Sequence, residues 1–324
     1  MEELYGAPMS VIALVLAAMF AAVIATLAFI LLRNPILFRL AWRNVPRRRA
    51  QSILIIVGLM LATVIISSAF TTGDSISFSI RRSATDNLRS LDQFVRVDSD
   101  SPVWEGRAVP DEFPESVFDE LAPIFESDPD VESAVPALIS NISVVNPRSR
   151  QFEVNAMLTG LDPALADQFD TLATSSGGRV DIASLAPNEV YIDREGADQL
   201  DVVVGDELGV ALGPDRLTAL TVKGIAEGWY FKRLETQVVL LGSLTQVQDL
   251  LDRQGLLSTI LVSNRGGFSE GERLTAGIQE RLAQLPAIRD RGLELFPLKS
   301  EIVAQADEIA SLFVSIFTVF GLFS

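Results

Sequence analysis

The chain has 324 residues, enough for a sizeable core, but its 48% apolar residues are gathered in three blocks rather than spread as in one evenly packed soluble domain. It contains no Cys and no His, which removes disulfides, Cys-ligated zinc, the Ser–His pair and the commonest metal ligand at once. A net charge of −16, with the acid concentrated in residues 71–308, argues against nucleic acid, whose phosphates need Lys and Arg. No catalysis, cofactor or metal is expected on this chain.

The first block, residues 9–32, lies in an uncharged run long enough to cross ~30 Å of hydrocarbon as a helix rising ~1.5 Å per residue. A cleaved signal peptide fits poorly, because the leading charges are Glu2 and Glu3 and arginines follow directly. Arg33, Arg39, Arg43, Arg47, Arg48 and Arg49 then crowd residues 33–50 without an acidic residue among them. Arginines so close to a span stay on the cytoplasmic side, so residues 33–50 are expected inside and residues 1–8 outside. Ile36, Leu37, Leu40 and Ala41 share one helical face and Arg39, Arg43 and Arg47 another, while the amphipathic ring of Trp42 suits the interface. The pattern fits a helix on anionic lipid, or one that also touches a cytoplasmic partner.

Residues 51–70 form a second span that should run from inside to outside. Ile76, Ile80, Ala84, Leu88 and Leu91 recur at helical spacing after it, so residues 71–91 read as a stalk continuing the span, unless Gly73 ends the helix. From residue 92 the texture changes to short strand-like runs between Pro, Gly and Asp clusters. Strands are expected at 93–97, 133–145, 151–158, 188–193, 202–208, 218–225, 236–241 and 259–263, and helices at 115–125, 194–200, 244–251 and 269–285. Residues 92–299 thus make an α+β domain. Residues 300–324 pass from an amphipathic stalk into an apolar stretch too short for a full crossing, as expected if the chain is the N-terminal part of a longer one. The fold class is a membrane protein with helical spans, long stalk helices and a large extracytoplasmic α+β domain.

Few motifs suggest chemistry. Residues 266–273 (GGFSEGER) put Glu where a phosphate-cradling loop needs Lys. Asp98 with Asp100, and Asp128 with Asp130 and Glu132, lack the central Gly and distal Glu of a calcium loop and read as solvated surface.

Three stretches together resemble the permease subunits of the MacB/FtsX-like class of ABC transporters. Residues 40–68 look like that family's basic amphipathic helix, Arg cluster and first core span. Residues 188–213, followed by LTVKGIAE at 220–227, are similar to the signature of its MacB-like periplasmic core domain, with a turn at Val204, Gly205 and Asp206 and a strand through Val222, Gly224 and Ile225. An apolar helix then returns toward the membrane. Gly205, Asp206 and Gly224 are structural by their chemistry, suiting a tight turn and a close backbone approach.

The resemblance implies a permease driven by a cytoplasmic ABC ATPase subunit that carries ATP and Mg, with Arg39, Trp42, Arg43, Arg47, Arg48 and Arg49 facing the membrane surface or that ATPase. It implies a homodimer or pseudo-dimer in the cell membrane, with stalk motion moving an extracytoplasmic domain that acts on a lipid, lipoprotein or peptide. The alternatives are an FtsX-type regulator of an extracellular cell-wall hydrolase and a membrane-anchored sensor. The span at 9–32 precedes the family's usual start and marks a variant with an additional N-terminal helix.

Overall fold

The structure is a computed structural model; it describes residues 3–4, 7–8, 14, 18, 21–26, 28–30, 33, 49–169, 172–213, 216–227 and 238–323. The chain divides into two compact units, Met1–Arg81 with Val303–Ser324, and Arg82–Ile302. Most of residues 9–32, and Arg39, Trp42, Arg43, Arg47 and Arg48, lie outside the described residues.

Helix α1, Arg49–Leu88, is 40 residues long, or about 60 Å at ~1.5 Å per residue. It has no internal Pro and runs straight through Gly73, so that glycine does not end it. Two hydroxyls in its apolar half bond back one turn, Thr63 Oγ1 to the Leu59 carbonyl at 2.8 Å and Thr71 Oγ1 to the Ser67 carbonyl at 2.9 Å. This satisfies them without water. Ile53, Leu54, Ile55, Ile56, Val57, Leu59, Met60, Leu61 and Val64 are each more than half exposed. Taken on the described residues alone, no helix is long and apolar enough to cross a membrane.

In the second unit the elements follow as β1 (Gln93–Val97), β2 (Phe113–Pro114), α2 (Ser116–Ser127), β3 (Val131–Asn146), β4 (Gln151–Leu161) and α3 (Pro163–Phe169). Then come β5 (Ala173–Thr174), β6 (Glu189–Asp193), α4 (Arg194–Gln199), β7 (Glu207–Gly213), β8 (Arg216–Glu227), β9 (Val239–Ser243) and α5 (Leu244–Leu251). The unit continues with β10 (Leu256–Leu257), β11 (Thr259–Asn264), α6 (Thr275–Leu282), α7 (Pro286–Arg289) and β12 (Leu293–Phe296), and α8 (Leu298–Phe323) leads out of it.

The sheet order is β12-β1-β11-β3-β4-β9-β6-β8-β5, with β7 pairing both β8 and β3. Those last pairings close a ring through β3, β4, β9, β6, β8 and β7, while β11, β1 and β12 extend from it as an open arm. The long strand β3 joins the two parts. One of its edges pairs β4; the other is shared between β11, against Val131–Ala137, and β7, against Ser143–Val145. A register shift between Ile142 and Val144 lets the strand bend where it passes from arm to ring.

Two cores follow from the alternation of side chains across the strands. The larger includes Leu138, Leu158, Ile192, Leu208, Leu220 and Leu240, with Val117 and Leu121 of α2, Val247 of α5 and Ile278 of α6. The second gathers Leu88, Leu91, Met157, Phe169, Tyr191, Val239 and Leu261, and against it pack Phe94, Leu298 and Ile302. The last turn of α1 and the first turn of α8 are therefore part of the second core.

Two sequence expectations are corrected. The strand expected at 202–208 begins only at Glu207, because the expected turn at Val204, Gly205 and Asp206 precedes it: Val203 N–H donates to Asp206 Oδ2 and Gly205 takes φ +94. The helix expected at 269–285 is broken into Gly267–Glu270, a 3₁₀ turn at Gly271–Leu274, and α6. The break brings Gly271 against the Asp92 carboxylate, where a Cβ would stand 2.7 Å from Oδ2. Helix α3 and strand β12 were not expected; the latter is a four-residue run between Gly292 and Pro297 with too little alternation to read.

Candidate functional site

The chain enters and leaves the second unit at one end of a single antiparallel pair. Strand β1 begins after α1, β12 ends before α8, and Phe94 lies opposite Phe296 in their register. That pair is tied across the strands: the Phe94 and Phe296 rings are 5.3 Å apart, Arg96 stacks 3.9 Å from the Phe296 centroid, and its Nε meets Glu294 at 2.7 Å. Such cross-strand contacts add roughly 0.2–1 kcal/mol each.

Between the two helix ends lies a buried polar cluster. Helix α1 stops as Arg89 turns into the left-handed region at φ 47. Three residues later, Asp92 is 0% exposed, and Lys299, in the first turn of α8, is 1% exposed. Lys299 Nζ lies 2.7 Å from Asp92 Oδ1 and donates to the Arg89 carbonyl at 2.8 Å. The backbone joins in, with Lys299 N donating to the Asp92 carbonyl at 3.1 Å and Asp92 N to the Val262 carbonyl at 3.1 Å.

Around this pair, Asn264 N donates to Asp92 Oδ2 at 2.8 Å, and Asn264 Nδ2 donates to the Gly271 carbonyl and to Thr275 Oγ1, both at 2.9 Å. Gln93 Nε2 completes the cluster by donating to Asn264 Oδ1 at 2.9 Å. The partners come from the α1–β1 connection, β1, β11, the turn before α6, α6 itself and α8.

Burial pushes the Asp92 carboxyl above its ordinary range, and nearby Glu132 pushes the same way. The Lys299 ammonium and the Asn264 N–H oppose that shift without cancelling it. A pair this deep gains little over an apolar pair of equal volume, but losing one partner costs about 3–5 kcal/mol.

The signature residues lie elsewhere, in the ring. Gly205 has open space where a Cβ would stand, so its φ of +94 is the requirement. Its N–H donates to the Val222 carbonyl at 2.8 Å, and Val222 N returns a bond to the Asp206 carbonyl at 2.9 Å. Asp206 is more than a turn residue: Oδ2 accepts from Val203 N at 3.0 Å, Arg148 Nε at 3.0 Å and Asn146 Nδ2 at 3.4 Å. It thereby ties the β3–β4 connection to the start of β7. Gly224 is required for space, since a Cβ there would stand 2.9 Å from Cε1 of Tyr191.

Asp128 is corrected from solvated surface to a buried partner of Arg281, which reaches Oδ1 at 2.8 Å, Oδ2 at 3.0 Å and Asp130 Oδ2 at 2.8 Å. Among the described residues no group of three or more acidic side chains is arranged to hold a metal ion. Of the basic candidates, only Arg49 is described, as the first residue of α1.

A family model described as the MacB-like periplasmic core domain matches residues 52–275. The chain belongs to this family. It is thereby placed in the MacB/FtsX-like class of ABC transporter permeases, membrane transporters with an extracytoplasmic domain. In general, such permeases work with a cytoplasmic ATPase.

Among solved structures the chain is similar to the extracellular domain of the non-canonical ABC-type transporter YknZ from Gram-positive bacteria. The identity is 11% and the TM-score 0.42, over 63% of this chain and 98% of that one. It is also similar to the periplasmic region of MacB from Actinobacillus actinomycetemcomitans, at 14% identity and a TM-score of 0.43, over 68% of this chain and 94% of that one. A search of the curated proteins finds no match. The matched span includes Asp92 and the signature of the MacB-like domain, whereas β12, Lys299 and α8 follow it.

Proposed function

We propose that this chain is a permease subunit that couples ATP hydrolysis by a partner cytoplasmic ATPase to movement of its extracytoplasmic domain. That domain acts on a lipid, a lipoprotein or a peptide, and ATP and Mg belong to the partner rather than to this chain. The observation that carries the reading is the shared attachment of α1 and α8 to one end of the β1–β12 pair. A displacement of either helix reaches the same strands.

Residues 9–32, 51–70 and the end of α8 are the proposed membrane segments. Support for the second is its sequence, uncharged from Ala50 to Thr72 on a helix where Ile53, Leu54, Ile55, Ile56, Val57, Leu59, Leu61 and Val64 are more than half exposed. In water that exposure costs roughly 25 cal/mol per Å², and lipid removes the cost. Arg39, Trp42, Arg43, Arg47, Arg48 and Arg49 then face the cytoplasmic surface or the ATPase. Association as a homodimer or pseudo-dimer supplies the second half of the machine.

Cysteine pairs placed in residues 71–91 and 300–308 test this directly, since the chain has no Cys of its own. Crosslinking yield in the complex with its ATPase should change between ATP-bound and nucleotide-free states. A yield indifferent to nucleotide contradicts the proposal. An extracellular hydrolase recovered on the domain would turn the same machine into a regulator.

A further inference from the structure

We infer that Asp92 and Lys299 form a register clamp, a buried ion pair that holds the end of α1 and the start of α8 at one fixed offset rather than adding net stability. It sits where the polar groups of Asn264, Gly271 and Thr275 meet the second core, to which Leu88, Leu91, Leu298 and Ile302 belong. Two aliphatic side chains would spare the desolvation of two charges, but would take these partners from the Asn264 N–H and the Arg89 carbonyl. Apolar pairs also tolerate sliding, because dispersion contacts have no preferred partner.

An ion pair is specific in this respect. If α8 advances by one residue, Lys299 leaves Asp92 Oδ1 and the Arg89 carbonyl together, and a buried carboxylate loses its cation. Asn264, Thr275 and Gln93 hold the carboxylate and the strand beneath it in place, so Asp92 cannot follow the lysine. The geometry permits the two helix ends to move as one body and opposes their sliding past each other.

The clamp rests on the geometry alone; that it carries force rests on the permease reading above. In that setting the domain is tilted as a rigid lever, and shear between the two stalks is not transmitted.

The test uses the full chain in lipid nanodiscs and the variants D92N, K299M and D92N/K299M. The double variant removes both charges, keeps a side-chain oxygen for the Asn264 N–H, and releases the Arg89 carbonyl. Its thermal midpoint should lie above that of either single variant. Amides at residues 89–93 and 298–301 should nevertheless exchange about tenfold faster than in the parent, with β6, β8 and β9 unchanged.

If a single variant does not fold, recovery of a folded double variant is the same positive result. A double variant as destabilised as the sum of the singles, or one whose junction amides exchange at the parent rate, overturns the clamp. Both outcomes are independent of nucleotide, so they are distinct from failure of the permease reading.

Discussion

Asp92 at the helix–sheet junction and Asp206 in the ring of strands are both aspartates facing a basic side chain and a backbone N–H, yet their carboxyls shift in opposite directions. For each, burial is the largest influence and pushes upward. At Asp206, the Val203 N–H and the Arg148 guanidinium outweigh burial and bring the carboxyl below its ordinary range. At Asp92 burial prevails. The Arg148 and Asp206 side chains are 47% and 11% exposed, so water shares the cost of the charges, whereas Asp92 and Lys299 have no such help. Similar chemistry is a fastening at the surface and a constraint in the interior.

The largest test of that contrast is K299M, which leaves the Asp92 carboxylate buried without its cation. It should lose about 3–5 kcal/mol in denaturant unfolding of the full chain. The loss should shrink as the pH falls and Asp92 takes up a proton. Next in size is G271A, whose methyl would meet the Asp92 carboxylate; the expected cost is about 1–3 kcal/mol by the same measurement.

The two signature glycines should behave differently from each other. G205A pays for a left-handed backbone with free space around it, roughly 1–2 kcal/mol. G224A collides with the Tyr191 ring, so its cost should fall when Tyr191 is shortened to Leu, while G205A is indifferent to that change.

The smallest effects concern pH, where the two aspartates should have opposite signs. Asp206 is lowered on folding, so it contributes stability above its ordinary pKa of about 3.9 and loses it as pH falls through the folded value. D206N should flatten that acid loss. Asp92 is raised, so its ionisation removes stability as pH climbs from the ordinary value through the raised one, and D92N should abolish that decline. Urea midpoints between pH 3 and 7 distinguish the two.

Much of the arm and ring was legible from alternation. Residues 93–97 and 244–251 are a strand and a helix with the expected limits, because their patterns were undisturbed by tertiary demands. The turn at Gly205 and Asp206 was also legible, though not the reach of Asp206 to Arg148 and Asn146, whose partners are more than 55 residues distant. The junction was hidden for the same reason. Asp92 and Lys299 merely bounded the domain in the sequence, and nothing local marks one of three lysines as buried. The broken helix after Asn264 shows the rule in reverse: an apparent helical run was overruled because Gly271 is needed against a carboxylate contributed by a residue far away in sequence.

Force transmission through the stalks requires the acidic unit to lie outside the membrane and the basic connector inside. Single cysteines at Ser176, exposed in the second unit, and at Arg39 in the basic connector can be probed on intact cells with a membrane-impermeant maleimide. We expect S176C to label at once and R39C only after permeabilisation. Labelling of R39C in intact cells with S176C protected would contradict the account.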